Sequence, residues 1–232
     1  MNDQKKGISP TPIAQMLFVI LIIPFLPLLI TFRFNWWEAW TYAIISILGF
    51  IISRALAVRK NPDLLAERAK SMQHEDTKKW DKVLAPIVGI GSGLIPLVAG
   101  LDARFEWSER FSLTAKLIAL AIILLGYIFS SWALIENRFF SGVVRIQSER
   151  GHKVISTGPY RLIRHPGYAG ALPVFLAIPV FLDSIWAFAP AVFITVILII
   201  RTRLEDKTLQ DELDGYREYT AKVRYLLIPG VW

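Results

Sequence analysis

Cysteine is absent from this 232-residue chain, and histidine occurs only three times, at His74, His152 and His165. Disulfides, thiolate zinc sites and a cysteine nucleophile are thereby excluded, and a histidine-rich metal centre has too few ligands to form. Gly-x-Gly-x-x-Gly after a strand, a phosphate loop ending in Gly-Lys-Ser/Thr and a Gly-x-Ser-x-Gly elbow are all missing, so the common soluble nucleotide-binding and hydrolase folds have no support. Internal repeats and low-complexity tracts are missing too. Acidic residues are in deficit, 19 Asp and Glu against 26 Lys and Arg, which leaves a net charge of +7.

Apolar residues are plentiful. They make up 54% of the chain, and a mean hydropathy of +0.45 is too high for one soluble globule of ordinary composition. Six windows are apolar and long enough to cross a bilayer or nearly so, at about 13 to 32, 36 to 57, 83 to 101, 112 to 135, 167 to 182 and 185 to 202. The expectation is an all-α, polytopic integral membrane protein with about six transmembrane helices. Only Asp183 and Ser184 separate the last two windows, which predicts a tight antiparallel hairpin. The first window follows Lys5 and Lys6 as a secretory leader would, but its apolar run is about twice a leader's core, so it reads as a retained anchor. Pro24 and Pro27 should kink it.

Lys and Arg accumulate on cytoplasmic loops. In this topology 22 of them fall on one side and four, Arg33, Arg104, Arg110 and Lys116, on the other. Both termini and the Gly151 to Tyr168 loop of this multi-pass protein are therefore expected in the cytoplasm. Topology and anionic headgroups account for the positive charge, and nucleic acid is not an expected partner.

The chain divides near residue 136. Residues 1–135 hold four windows and read as a transmembrane scaffold. Their cytoplasmic NPDLLAERAK segment reads as a short interfacial helix whose charges are solvated. Residues 136–232 concentrate the unusual residues. GHKVISTGPYRLIRHPGY, from Gly151 to Tyr168, packs two histidines, two tyrosines and turn-forming Gly and Pro into one basic loop. Pro166 suits the first position of a helix and leaves His165 extended before it, at the positive end of the fifth window. Two readings stand at that point: an anion or cofactor site, or a helix cap at the headgroup layer with tyrosine anchors. Arg201 and Glu205, four residues apart, share a helix face at the cytoplasmic end of the sixth window, where they can pair and should face His165. Leu209, Leu213, Tyr216, Tyr219 and Val223 then recur at helical spacing, either packed back on the membrane face or forming a lid.

HKVISTGPYRLIRHPGY, the Arg201-x-x-x-Glu205 pattern with its acidic neighbour, and GYREYTAKVRYLLIPGVW together resemble the isoprenylcysteine carboxyl methyltransferases and their bacterial and archaeal relatives, over residues 137 to 232. Where that family has paired glutamates, this chain has Glu205-Asp206. The resemblance implies an S-adenosylmethionine-dependent membrane methyltransferase with a cytoplasmic cofactor pocket, O-methylating a carboxylate on a lipophilic substrate that enters from the bilayer. It implies that Gln147, His152, Lys153, Val154, Ile155, Tyr160, His165, Pro166, Gly167, Tyr168 and Glu205 line the cofactor pocket, with no metal. It also implies that Arg201 holds the substrate's carboxylate, which its guanidinium could clamp bidentately. Two alternatives are an NADPH-dependent reductase of the membrane sterol and steroid type, whose C-terminal pattern looks related, and a transporter or scaffold, against which the windows show few charges and no inverted repeat.

Overall fold

The structure, a computed structural model, describes residues 20–231. Among these residues it is all-helical. A 3-10 turn, Ile23–Phe25, leads into α1 (Leu26–Thr31), followed by α2 (Trp37–Lys60), α3 (Leu64–Ala69), α4 (Asp81–Gly91), α5 (Leu94–Phe105), α6 (Leu113–Glu136), α7 (Pro166–Phe181), α8 (Phe188–Glu212) and α9 (Tyr216–Lys222). Lys5, Lys6 and the start of the first expected window lie outside the described residues. Its remainder is broken at Pro24, as a ring that blocks helical hydrogen bonding demands.

Three rods are long and apolar enough to cross a membrane: α2, α6 and the combined Asp81–Phe105 unit of α4 and α5. That last unit, expected as one window, bends at Ser92-Gly93. Pro96 has no N–H to return to the Ser92 carbonyl, and Ile95 takes that carbonyl instead at 3.3 Å, tightening the turn. α7 is shorter, at 16 residues. α8 runs ten residues past the expected end of its window, so Arg201 and Glu205 stand inside a helix and not at its terminus. The link between α7 and α8 is Leu182–Ala187, longer than the two residues expected, and Asp183 within it takes a left-handed conformation.

Packing holds the middle of the bundle. Lipid is as apolar as leucine, so helices gain little by hiding apolar surface from it and associate through close contact. Leu28, Ile95, Ile123, Val174, Ile178, Phe181 and Ala191 form the main core, while Leu48, Ile51, Leu117, Leu125 and Ile128 face outward. α6 crosses α7 backbone to backbone at Gly126 and Gly170. A Cβ at Gly126 would stand 2.5 Å from the Gly170 carbonyl oxygen, and one at Gly170 would stand 2.7 Å from that of Gly126.

The windows carry more buried charge than expected. At the end of the bundle remote from the His165 loop, Lys116 bridges Glu38 at 2.6 Å and Asp183 at 2.5 Å, and Asp183 also accepts from the Phe111 amide. Asp102, 1% exposed, accepts from Ser108 and Ser184. Lys116 and its two carboxylates thus close this end as a paired group, while Asp102 is met on one oxygen by two serine hydroxyls.

The helix crossing makes a direct prediction. Gly126→Ala forces two backbones apart and should destabilise the protein by about 1–3 kcal/mol. Gly89→Ala, with nothing within 4 Å of its Cβ, should leave stability unchanged or raise it slightly. Thermal unfolding of both variants in one detergent checks the difference.

Candidate functional site

The chain leaves α6 through a loop whose polar groups are satisfied locally. Asn137 accepts from the Phe139 amide at 2.8 Å and donates to the Tyr160 hydroxyl at 3.2 Å. Gln147, 1% exposed, donates to the Phe139 carbonyl at 2.8 Å and accepts from Arg150. Gly151 closes the Ser148–Arg150 turn at φ 63°, and His152 Nδ1 accepts from the Gln147 amide at 3.2 Å. His152 also leans on Phe139, with ring centroids 4.6 Å apart. Burial, then the charges of Arg145 and Arg150, push its pKa down to about 4 despite the opposing Glu149. It is therefore a neutral ring at physiological pH. Gly158 opens the next turn at φ 55°, where a Cβ would meet Glu136 at 2.9 Å.

His165 precedes α7 and Pro166 is its first residue, as the sequence predicts. The His165 Nε2 lies 3.2 Å from Asp206, and its ring stacks on Tyr168 with an interplanar angle of 4°. Asp206 is also reached by Arg164 at 3.0 Å and by the Tyr216 hydroxyl at 3.0 Å. The chain's last segment seals this corner, since the amides of Arg164 and His165 donate to the carbonyls of Tyr225 and Leu226, each at 3.0 Å.

Arg201 does not pair directly with Glu205. Its Nε and Nη2 grip the two oxygens of Asp81 at 2.7 and 3.0 Å, and Nη2 also reaches the Gly142 carbonyl. Its Nη1 donates to the Tyr168 hydroxyl, which donates to Glu205 at 2.7 Å. The expected ion pair is replaced by a relay because Tyr168, one turn into α7, stands between the two side chains. The bidentate fork expected for a substrate carboxylate is already occupied by Asp81, leaving one Nη1 hydrogen for another partner. Asp81 is 0% exposed and holds the Val144 amide as well, at 2.5 Å.

These elements enclose a cavity of about 780 Å³ including its open mouth, within the usual range of small-molecule sites. Gln147, His152, Lys153, Val154, Ile155, Tyr160, His165, Gly167, Tyr168, Arg201 and Glu205 all line it. Pro166 does not, being buried at the start of α7. Leu209, Leu213, Tyr216 and Tyr219 form one wall, so the tail packs onto the Ile146 to Val154 loop. Burial raises the phenols of Tyr160, Tyr216 and Tyr219, keeping them protonated donors; Tyr219 donates to the Tyr160 carbonyl at 2.6 Å.

Two lining groups are left to meet a ligand. Arg164 Nε is buried and has no hydrogen-bond partner. Glu205 has no cation beside its carboxylate among the described residues, its bonded partner being the Tyr168 hydroxyl. A donor for an anion and a carboxylate for a cation, with aromatic faces between, fit a zwitterionic cofactor that also carries a flat base.

Several contributors escape a sequence reading. Asp81 and the α3 residues come from the half read as scaffold: Glu67 is buried against Arg145 at 3.0 Å, and Arg68 donates to the Phe140 carbonyl at 3.1 Å. The α3 charges therefore bind the loop and are not simply solvated. Arg164 lay in the quoted motif without a distinct signal.

The fold and cavity define an all-helical protein with three rods long and apolar enough to cross a membrane and a cavity at one end of them. Residues 114–213 match the model of the phospholipid methyltransferase family. The match makes the C-terminal part of the chain similar to that family over less than half of its length. A probable protein-S-isoprenylcysteine O-methyltransferase of Oryza sativa subsp. indica is 41% identical over 56 residues, 24% of this chain and 29% of the rice protein. Protein-S-isoprenylcysteine O-methyltransferase B of Arabidopsis thaliana is 36% identical over 67 residues, 28% of this chain and 30% of its own. Delta(14)-sterol reductase TM7SF2 of Mus musculus is 29% identical over 152 residues, 60% of this chain and 36% of its own. The chain thus spans about three tenths of the length of the plant relatives it matches.

Two outcomes follow from the geometry. Asp81→Ala strands a buried guanidinium and should cost about 3–5 kcal/mol, read by thermal unfolding, whereas Asp211→Ala, in an exposed pair, should cost little. For His152 the folded pKa of about 4 lies below the ordinary 6.5, so the opened state takes up the proton first on acidification. The loop's stability should be full above about pH 6.5 and fall towards pH 4. Amide exchange of residues 147–155 against pH checks this, and His152→Gln should flatten the profile.

Proposed function

We propose that the protein is an S-adenosylmethionine-dependent membrane methyltransferase whose donor pocket is the 780 Å³ cavity. The observation that carries the reading is a pair of opposite charges on its wall, Arg164, whose Nε has no hydrogen-bond partner although Nη1 meets Asp206, and Glu205, which meets no cation, within the segment that matches the methyltransferase family. Arg164 would hold the donor's carboxylate, and Glu205 would face its ammonium or sulfonium. His165, Tyr168 and Phe139 offer flat faces to the base, with Gln147, His152 to Ile155, Tyr160 and Gly167 completing the walls. When bound, the donor would supply an electrophilic sulfonium methyl, and these residues would hold it towards the acceptor.

A carboxylate acceptor suits this residue set. It is ionised at neutral pH and needs no general base. What the chain contributes is alignment, which lowers such barriers by about 7–11 kcal/mol in favourable cases. Arg201, held rigid by Asp81 and Tyr168, contributes a fixed positive charge and one free N–H towards the acceptor. The burial of α7 and α8 beside the cavity supports an acceptor that is lipophilic and arrives from the bilayer, while the donor comes from the cytoplasm. In the full topology α7 and the apolar half of α8 complete six spans, with both termini on the cytoplasmic side of a bacterial inner membrane. The 22-to-4 distribution of Lys and Arg supports that orientation.

The longer match to a sterol reductase favours a second reading, in which the cavity takes NADPH. Titration of the purified protein separates the two. Saturable binding of S-adenosylmethionine is expected, weakened about tenfold or more by Arg164→Ala and by Glu205→Gln, each removing a charge-assisted contact. Membranes incubated with methyl-labelled donor should accumulate alkali-labile label in a lipid-soluble fraction. NADPH binding with no response to S-adenosylmethionine would overturn the methyltransferase reading.

A further inference from the structure

Arginines in this protein follow a rule with two exceptions. Six are buried or half-buried: Arg54, Arg68, Arg145, Arg150, Arg164 and Arg201. The last four each meet a carboxylate: Arg145 meets Glu67, Arg150 meets Asp63, Arg164 meets Asp206 and Arg201 meets Asp81. Among the described residues, Arg54 and Arg68 meet none. Arg54 donates to Ser53 at 2.9 Å and lies over the Phe50 ring at 4.0 Å. Arg68 donates to the Phe140 carbonyl and lies over the Phe140 ring at 5.5 Å. Phe140, over whose ring Arg68 lies, lines the same groove as Arg54, so both cations border it. Two guanidiniums drawn out of water with no carboxylate beside either are costly unless an anion joins them.

A groove starts at Arg54, with Arg68 behind its Phe140 wall. Between α2 and α6 lies a space of about 690 Å³ lined by Arg54, Phe50, Gly49, Leu134 and Phe140, with the hydroxyls of Ser46, Ser53, Tyr127, Ser130 and Ser131 among them. Its neighbours on α2, Leu48, Ile51 and Ile52, are exposed on the apolar flank of the bundle. Phe140 lines both this groove and the donor cavity, so one aromatic side chain forms the partition. Arg201, by contrast, has its fork committed to Asp81 and cannot serve as the main anchor for an incoming anion.

We infer that Arg54 and Arg68 together form the anchor for the anionic head of the acceptor, an amphiphile whose single chain lies in the hydroxyl-lined groove between α2 and α6. The head then stands at the Phe140 partition, at the edge of the donor cavity. Charge complementarity selects an acidic amphiphile over a neutral one. This inference rests on the methyl-transfer reading for what happens to the amphiphile, but the binding site stands on its own geometry.

The test uses the full-length protein in nanodiscs of zwitterionic lipid. Radiolabelled oleate and the neutral oleyl alcohol serve as probes, and S-adenosylmethionine is titrated in the same preparation. Oleate should bind at least about tenfold more tightly than oleyl alcohol, with the preference weakening as salt rises. Arg54→Gln and Arg68→Gln should each cut that preference several-fold, and the double variant should abolish it, while Arg54→Lys retains part of it. Ser46→Leu, which fills the groove without touching either cation, should weaken both probes alike. If wild-type protein shows no preference for oleate, or if the glutamine variants retain it, the anchor assignment is wrong. Should either glutamine variant fail to fold, the wild-type preference and the Ser46→Leu response still decide the matter. Loss of donor binding alone would count against the methyltransferase reading and leave the anchor intact.

Discussion

The buried grip of Arg201 on Asp81 is the interaction from which the rest of the site takes its place. It joins residues 120 positions apart and fastens α8 to the first residue of α4. Asp81 in turn holds the Val144 amide, and Arg201 holds the Gly142 carbonyl, so the loop after α6 is pinned at two neighbouring points. Tyr168 then hangs from Arg201 and positions Glu205. A buried ion pair of this kind adds little net stability over apolar packing, since desolvation consumes most of the attraction. Its contribution is specification: each arrangement that breaks it leaves an unpaired charge in a dry place.

Polarity in the molecule is segregated along the helix axes. One end carries Arg201, Asp81, Asp206 and Glu205 around the cavity, and the other carries Lys116, Glu38, Asp183 and Asp102. Between them the helices meet mostly through apolar side chains and the bare backbones at Gly126 and Gly170. Close contact is the only strong cohesive force available where lipid competes on equal terms with leucine. The hydroxyl-lined groove beside α2 departs from this plan, which is why it stands out.

Much of this was legible in the residues. Long apolar runs located α2, α6 and the α4–α5 rod, and Gly, Pro and His at loop positions marked the elements that surround the cavity. Local chemistry sufficed there, because Pro166 can begin a helix and Gly158 and Gly151 can take positive φ without cost. Asp81 was not legible. It reads as one more charge before a membrane window, and only the fold brings it to Arg201. Glu67 and Arg68 were read as solvated for the same reason. The reach of α8 beyond residue 202 was hidden because hydropathy registers the bilayer's edge and not the helix's end, while TRLEDKTLQDE is rich in good helix formers. The Arg201–Glu205 spacing signalled a shared face correctly but could not disclose that Tyr168 would come between them.

The backbone bonds from Arg164 and His165 to Tyr225 and Leu226 have an implication for biogenesis. A ribosome adds residues in order, so α6 and α7 are made well before residue 226. Until that late segment threads back along the start of α7, the corner holding His165 and Asp206 lacks its outer wall. Synthesis of the helices and maturation of the pocket are thus separate events, and a nascent chain arrested short of Tyr225 would carry its helices around an unfinished cavity.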